Sequence, residues 1–270
     1  MDYDDSPDYP ATSVRTVWVS DTHLGFGGAK AEALLEFLRG MRCEQLYLVG
    51  DIIDFWALKR KRHWPQSHNN LTRTVLGMAK YDTRVVYIPG NHDDVIRHYD
   101  GLTLGNIEIH DRIIHETADG RRFVTLHGDQ FDSAVISSRL LGLVGSRAYA
   151  GLLNLNRLVN WGRGCLGMEY WSLAAAAKQK VKKAATYIAN FEQAVAMEAR
   201  HQAVDGLICG HIHRPELTWL DGVLYINCGD WVESATALIE HHDGSLELWQ
   251  LGQQSARLRR LPPGDDAAAA

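Results

Sequence analysis

Leu46-Tyr47-Leu48-Val49-Gly50-Asp51 is an apolar run with strand-forming residues that ends on a glycine and then a carboxylate. Working outward, the same layout recurs on both sides. Val17-Trp18-Val19 leads into Asp21-Thr22-His23, and the run 85–88 leads into Gly90-Asn91-His92-Asp93. Farther on, 123–126 leads into His127-Gly128-Asp129 and 207–209 into Gly210-His211-Ile212-His213. Short β-branched runs bounded by glycine read as buried strands. Parallel strands deliver their carboxyl ends to one sheet edge, the usual place for an α/β site.

The residues so delivered are metal ligands by type. Asp21, His23, Asp51, Asn91, His127, His211 and His213 offer only oxygen and nitrogen, which suits manganese, iron, zinc or magnesium rather than a thiolate-rich structural zinc site. Seven ligands exceed what one ion needs, so two ions sharing Asp51 is the economical reading. His92 directly follows a ligand and is free to face a substrate, where it would protonate a leaving oxygen or stabilise charge on phosphorus. Asp93 either holds His92 in the right tautomer or caps a short helix begun at Asp94. Asp54 either orients a ligand or closes a turn.

Between the motifs, Ala31, Leu34, Leu35 and Leu38 repeat at helical spacing, as do Leu71, Val75 and Met78. Beyond Asp93 the short runs 107–110, 112–115 and 123–126 read as antiparallel strands. Strand–turn patterns around Asp221-Gly222 and Asp243-Gly244 complete an α/β chain of two mixed sheets flanked by helices. From 133 the pattern changes to an apolar stretch and then a long helix over 172–200 with lysines near its start, which together suggest a helical cap. Arg139, Arg147, Lys178 and Lys182 are its candidate phosphate-pairing residues, and the basic 59–62 segment adds charge that would suit anionic lipid headgroups.

Composition agrees with a folded enzyme. Hydrophobic residues make up 46% and charged residues 23%, and the net charge is −5, which argues against a general nucleic-acid binder. Cys43, Cys165, Cys209 and Cys228 are widely spaced and read as free thiols in a reducing compartment. The first ten residues are acidic and lack the pattern of a signal peptide. No apolar stretch reaches spanning length. No nucleophile elbow or phosphate-binding glycine loop occurs.

The ordered motifs DxH, GDxxD, GNHD, HGD and GHxH over roughly 16–240 resemble the calcineurin-like metallophosphoesterases. The resemblance implies a four-layer αββα sandwich over 14–252 with a cap insertion at 133–204, an acidic disordered tail at 1–13 and a second tail at 253–270. It also divides the ligands: Asp21, His23 and His213 on one ion, Asn91, His127 and His211 on the other, and Asp51 between. A scaffold that had lost catalysis would lack ligands, and none is missing; a nuclease would show a continuous basic groove.

Ser20-Asp21-Thr22-His23-Leu24-Gly25 and Gly50-Asp51-Ile52-Ile53-Asp54-Phe55-Trp56, with the insert after His127-Gly128-Asp129, look like the UDP-2,3-diacylglucosamine pyrophosphatase branch. That likeness implies hydrolysis of an acylated UDP-sugar to the acylated sugar 1-phosphate and UMP in lipid A synthesis. It also implies two divalent ions, manganese first, a cytoplasmic location with peripheral docking on the membrane face, and acyl chains held by the cap. The chain departs from the branch at His92, where many of its members carry arginine. A related phosphodiesterase or phosphatase acting on another lipid-linked or nucleotide substrate is the alternative expectation.

Overall fold

The computed structural model describes residues 12–133, 173–251 and 257–262, with side chains at 133, 173–185 and 257–260 left out. β1 (Thr12–Ser20), β2 (Met41–Val49) and β3 (Arg84–Ile88) pair in parallel, register Val17↔Leu46 and Leu46↔Val85. They form the centre of an eight-stranded sheet ordered β13-β12-β11-β1-β2-β3-β5-β4. Here β4 is Thr103–Leu104, β5 Ile107–Ile109, β11 Thr236–Glu240, β12 Leu246–Gln250 and β13 Arg257–Leu261. A five-stranded sheet ordered β6-β7-β8-β10-β9 comprises Arg112–Glu116, Arg122–Leu126, Gly206–Cys209, Val223–Asn227 and Glu216–Leu220 in that spatial order.

Strand alternation sorts the central sheet's side chains into two cores. Val17 and Val19 of β1 face one way, with Leu34, Leu35 and Leu38 of α1 (Ala31–Arg39) and Leu71 and Val75 of α3 (Gln66–Lys80). Trp18 faces the other way, joining Tyr47, Val86 and Ile88 against Phe123, Ile208, Leu224 and Ile226 of the second sheet. Both faces of these strands are buried, which is why they read as continuous apolar runs rather than alternating ones. The result is two mixed sheets flanked by helices. A short helix α2 (Phe55–Arg60) follows the β2 loop, and a 3₁₀ turn spans Asp94–Tyr99.

The chain divides into two compact units, residues Met1–Gln130 with Val195–Ala270, and Phe131–Ala194. In the second, Phe131 meets Phe191 edge-on at 5.7 Å and the Tyr187 hydroxyl donates to Asp132 Oδ1 at 2.5 Å. The helix predicted over 172–200 is α4, Leu173–His201.

Three expectations change. β5 pairs with β3 in parallel, and β7 with β8 in parallel, so only part of the 107–126 region is antiparallel. Arg257–Leu261 is an edge strand paired antiparallel with β12 rather than part of a tail, and Thr12 and Ser13 belong to β1. Of the basic 59–62 segment, Lys59 and Arg60 end α2, and Lys61 follows as its C-cap. Cys43, Cys209 and Cys228 are buried free thiols, while Cys165 lies outside the described residues.

Candidate metal centre

Three of the strands stop directly before a ligand or the glycine that precedes one. Asp21 follows β1, Gly50-Asp51 follows β2, and His127 directly follows β7. The ladder then continues as loop-to-loop bonds: Asp21 N–H to Gly50 O (3.0 Å), His23 N–H to Asp51 O (2.8 Å) and Leu24 N–H to Ile52 O (2.9 Å). Across the sheets, His211 N–H donates to Asp21 Oδ2 (2.9 Å), and within the smaller sheet Gly210 N–H donates to His127 O (3.1 Å). These bonds hold the loops after β1, β2, β7 and β8 at one edge.

The backbone there is unusual. Asp21, His23, Asp51, His211 and His213 all have φ between 49° and 70°, a left-handed conformation that costs a non-glycine residue on the order of 1–3 kcal/mol. Such turns aim successive side chains inward instead of alternating them. Close packing demands glycine beside the ligands: a Cβ on Gly50 would lie 2.0 Å from His127 Nδ1, and one on Gly90 2.3 Å from Asp51 Oδ1.

Two sets of donor atoms converge. Asp21 Oδ1 lies 3.1 Å from His213 Nε2 and 3.9 Å from His23 Nε2, and the two imidazole Nε2 atoms are 3.3 Å apart. Asp51 Oδ1 lies 3.6 Å from His127 Nε2, and its Oδ2 3.8 Å from His23 Nε2. His127 and His211 meet edge to face at 5.1 Å between ring centres. Within these groups Asp21 Oδ1, Asn91 Oδ1 and His127 Nε2 are buried with no hydrogen-bond partner. A buried lone pair left unpaired is expensive, and oxygen and imidazole donors gathered this way fit divalent cations. Two groups, Asp21/His23/His213 and Asp21/Asp51/His127, each bring three ligand atoms within 4.8 Å of one another.

Charge distribution agrees. Burial alone would raise the Asp21 and Asp51 carboxyls, but the imidazoles of His213 and His127 hold them below the usual carboxylate range. Burial opposes charge on the histidines too, yet Asp51 lifts His127 to about 10 and Asp21 lifts His213 to about 9. Without a cation, protons take its place.

His23, Asp54 and His92 also come together, but as a hydrogen-bonded unit. Asp54 Oδ2 accepts from His23 Nδ1 at 3.1 Å, and its Oδ1 lies 2.9 Å from His92 Nδ1. The His23 bond favours its Nδ1–H tautomer, and the close Asp54 carboxylate turns Nδ1 of His92 inward so that Nε2 of each ring faces the Asp51 side. Asp54 Oδ1 also accepts from Ala57 N–H at 2.7 Å, capping α2, so the carboxylate orients a ligand and closes a turn at once. Burial would raise the Asp54 carboxyl, and the two imidazole bonds instead hold it well below the usual range. The His92 ring is partly exposed, lies over Trp56 at 4.2 Å, and keeps Nε2 3.9 Å from Asp51 Oδ2. Burial pulls its pKa down, but the Asp54 bond and nearby carboxylates raise it overall.

Asp93 does neither of the two things expected of it. It makes no side-chain cap to the 3₁₀ turn, and its carboxylate is spent on the Gly90, Asp51, Ile52 and Ile53 amides and the Tyr87 hydroxyl. Fully buried, it ties the β2 loop to the β3 loop. Of the proposed phosphate-pairing residues, Lys178 and Lys182 lie on α4, while Arg139 and Arg147 fall outside the described residues. The Asp54 cap on Ala57 is local, but its bond to His23 and the ties of Asp93 to the Asp51, Ile52 and Ile53 amides have no local signature, because those partners lie in other loops.

Sequence and structure comparisons bear on this geometry. A UDP-2,3-diacylglucosamine hydrolase from Blochmanniella pennsylvanica (strain BPEN) is 25% identical over 116 residues, which is 42% of this chain and 46% of that protein. The match thus spans less than half the relative's length. Among solved structures, YfcE, a phosphoesterase from E. coli, is similar at 14% identity and a TM-score of 0.46, covering 92% of this chain and 98% of that one. Wild-type Vps29 complexed with zinc from Entamoeba histolytica is similar at 13% identity and a TM-score of 0.46 with the same coverages. The family model for calcineurin-like phosphoesterases matches residues 14–215. Ordered motifs, converging ligands and that match agree: the chain belongs to the calcineurin-like phosphoesterase family.

Proposed function

We propose that the edge holds two divalent ions, manganese first among them, with Asp21, His23 and His213 on one, Asn91, His127 and His211 on the other, and Asp51 between. The observation that carries this reading is the position of Asp51, whose two oxygens lie 3.6 Å from His127 Nε2 and 3.8 Å from His23 Nε2. When bound, such a pair of cations supplies a deprotonated water and neutralises phosphoryl oxygens. His92, tethered at Nδ1 by Asp54 and shifted toward its protonated form, donates its Nε2 proton to the leaving oxygen. Asp93 keeps the loops carrying Asp51 and His92 in fixed register.

The substrate assigned is UDP-2,3-diacylglucosamine, cleaved at its pyrophosphate to diacylglucosamine 1-phosphate and UMP. The motif likeness and the printed name of the partial relative support it. In this reading the 133–204 insertion holds the acyl chains, Arg139, Arg147, Lys178 and Lys182 pair phosphates, and exposed Lys59 to Arg62 meet anionic headgroups at the cytoplasmic membrane face. No helix among the described residues is long and apolar enough to cross a membrane. His92 favours a second reading, a related phosphodiesterase or phosphatase with another lipid-linked or nucleotide substrate, because the branch motif often has arginine there.

Hydrolysis by metal-stripped protein resupplied with manganese separates the two. Fast release of UMP from the acylated substrate, with a deacylated UDP-sugar and a simple phosphodiester left nearly untouched, is the expected result. Comparable slow cleavage of all three would move the physiological substrate elsewhere.

A further inference from the structure

Among the groups that no ligand role uses, Arg97 stands out by what it joins. It lies on the 3₁₀ turn Asp94–Tyr99. Its Nη1 and Nη2 donate to the two oxygens of Asp129 at 2.8 and 2.5 Å, and Nη2 also donates to Pro89 O at 3.1 Å. Nε lies 3.1 Å from Asp111 Oδ1. Pro89 precedes the loop carrying Asn91 and His92 at the end of β3, and Asp129 is two residues beyond His127 at the end of β7. Those strands belong to different sheets. One planar guanidinium therefore bridges the two loops that bring Asn91 and His127 to the edge, and no other side chain among the described hydrogen bonds joins them.

We propose that Arg97 is a positioning residue that sets the separation of Asn91 and His127, and so tunes affinity at the Asn91/His127/His211 site alone. The inference rests on the two-ion reading. The forked geometry matters: a guanidinium can span a carboxylate and a carbonyl together, whereas an ammonium is a point charge with no fixed plane. Groups that orient ligands from behind typically affect metal affinity by about 10- to 100-fold. Of the other ion's ligands, Asp21 and His23 are fixed through backbone bonds to the β2 loop and His213 lies 3.1 Å from Asp21 Oδ1 through Nε2, contacts that Arg97 does not touch.

The test is manganese binding to the full chain, by calorimetry and by the spin-coupled electron paramagnetic resonance signal of a manganese pair, for wild type, Arg97→Met, Arg97→Lys and Asp129→Asn. Arg84→Met is the control, since Arg84 makes a comparable fork to Glu108 at 2.8 and 2.6 Å away from the ligand loops. The expected result is one site weakened about 10- to 100-fold in all three test variants, the coupled signal replaced by an isolated-ion signal, and both sites unchanged in Arg84→Met. Lysine gives little rescue, and Arg97→Met combined with Asp129→Asn is no worse than either alone. Two sites of unchanged affinity in Arg97→Met, or equal weakening of both, would overturn the proposal. Should Arg97→Met not fold, Asp129→Asn and Arg97→Lys decide by the same criteria. A wild type that binds only one ion would instead sink the two-ion reading itself.

Discussion

Two regions of this molecule set histidine against buried carboxylate, and they are built in opposite ways. Inside the sandwich, His115 of β6 lies 2.8 Å from Glu240 Oε2 through Nε2 and 3.1 Å from the Tyr47 hydroxyl through Nδ1. Glu240 also accepts from Thr16 Oγ1 at 2.7 Å, Ala118 N–H at 2.7 Å and Arg15 Nη1 at 2.6 Å. Both His115 nitrogens and both Glu240 oxygens have partners, and neither residue has positive φ. At the strand ends, Asp21 Oδ1, Asn91 Oδ1 and His127 Nε2 are buried with no hydrogen-bond partner, and Asp21, Asp51 and His211 beside them have a left-handed backbone. A saturated network locks two sheets together; an unsaturated one keeps its lone pairs for a cation.

The largest test of that contrast is Asp51→Ala. We expect hydrolysis to fall at least about 10³-fold, some 4 kcal/mol of transition-state stabilisation, with bound metal dropping by at least one equivalent while the melting temperature of the metal-free chain moves little. Retained activity at full metal content would erase the distinction between the regions. His92→Ala comes next: a fall in kcat of about 10²–10⁴-fold with both metal equivalents kept. Loss of both ions in that variant would make His92 a ligand rather than an acid.

Glu240→Ala should show the mirror image. Removing one partner of a buried pair costs about 3–5 kcal/mol, measured by denaturant unfolding, and metal stoichiometry should stay at the wild-type value. If metal loading fell in step with stability, the sandwich and the edge would be one network after all.

The smallest effects are in pH, and they run in opposite directions. Burial would raise the Glu240 carboxyl, but His115 and Thr16 lower it below its ordinary value. Its contribution is therefore complete above the unfolded-state value of about 4.3 and disappears as pH falls through the lower folded value. The stability gap between wild type and Glu240→Gln should close on acidification. In the metal-free chain His127 and His213 are raised to about 10 and about 9. Their protonation stabilises fully below about 6.5 and is lost as pH climbs through those values. Metal binding must expel these protons, so manganese affinity should rise between pH 6 and 9 with measurable proton release. A flat affinity profile would mean that the imidazoles carry no competing proton.

The seven proposed ligands were legible because parallel strands buried on both faces announce themselves as apolar runs, and each run ends at its motif. What the motifs could not convey was contact between distant loops. Asp93 reads as a cap because a cap is a local event, whereas its acceptors are filled by amides from the β2 loop and the Tyr87 hydroxyl. β13 reads as a tail because Arg257-Leu258-Arg259-Arg260-Leu261 has no strand period; pairing with β12 makes it a strand, a case of context overriding propensity. β5 is antiparallel to β4 as its pattern suggests but parallel to β3, because direction relative to β3 is set by a crossover, not by its own residues. His115 carries no more local signal than His127, and only its saturated neighbours separate the two.

The left-handed turns at Asp21, His23, Asp51, His211 and His213 carry a warning for anyone who would transplant this centre. Five such positions together cost on the order of 5–15 kcal/mol, comparable to the whole net stability of an ordinary domain. Copying the seven side chains onto the strand ends of a different host would move the chemistry without the framework that tolerates its contorted main chain. A marginal recipient would relax those turns, and the imidazoles would swing back to alternating faces. The transferable unit is the set of interlocked loops, cut out whole with the strands that feed them.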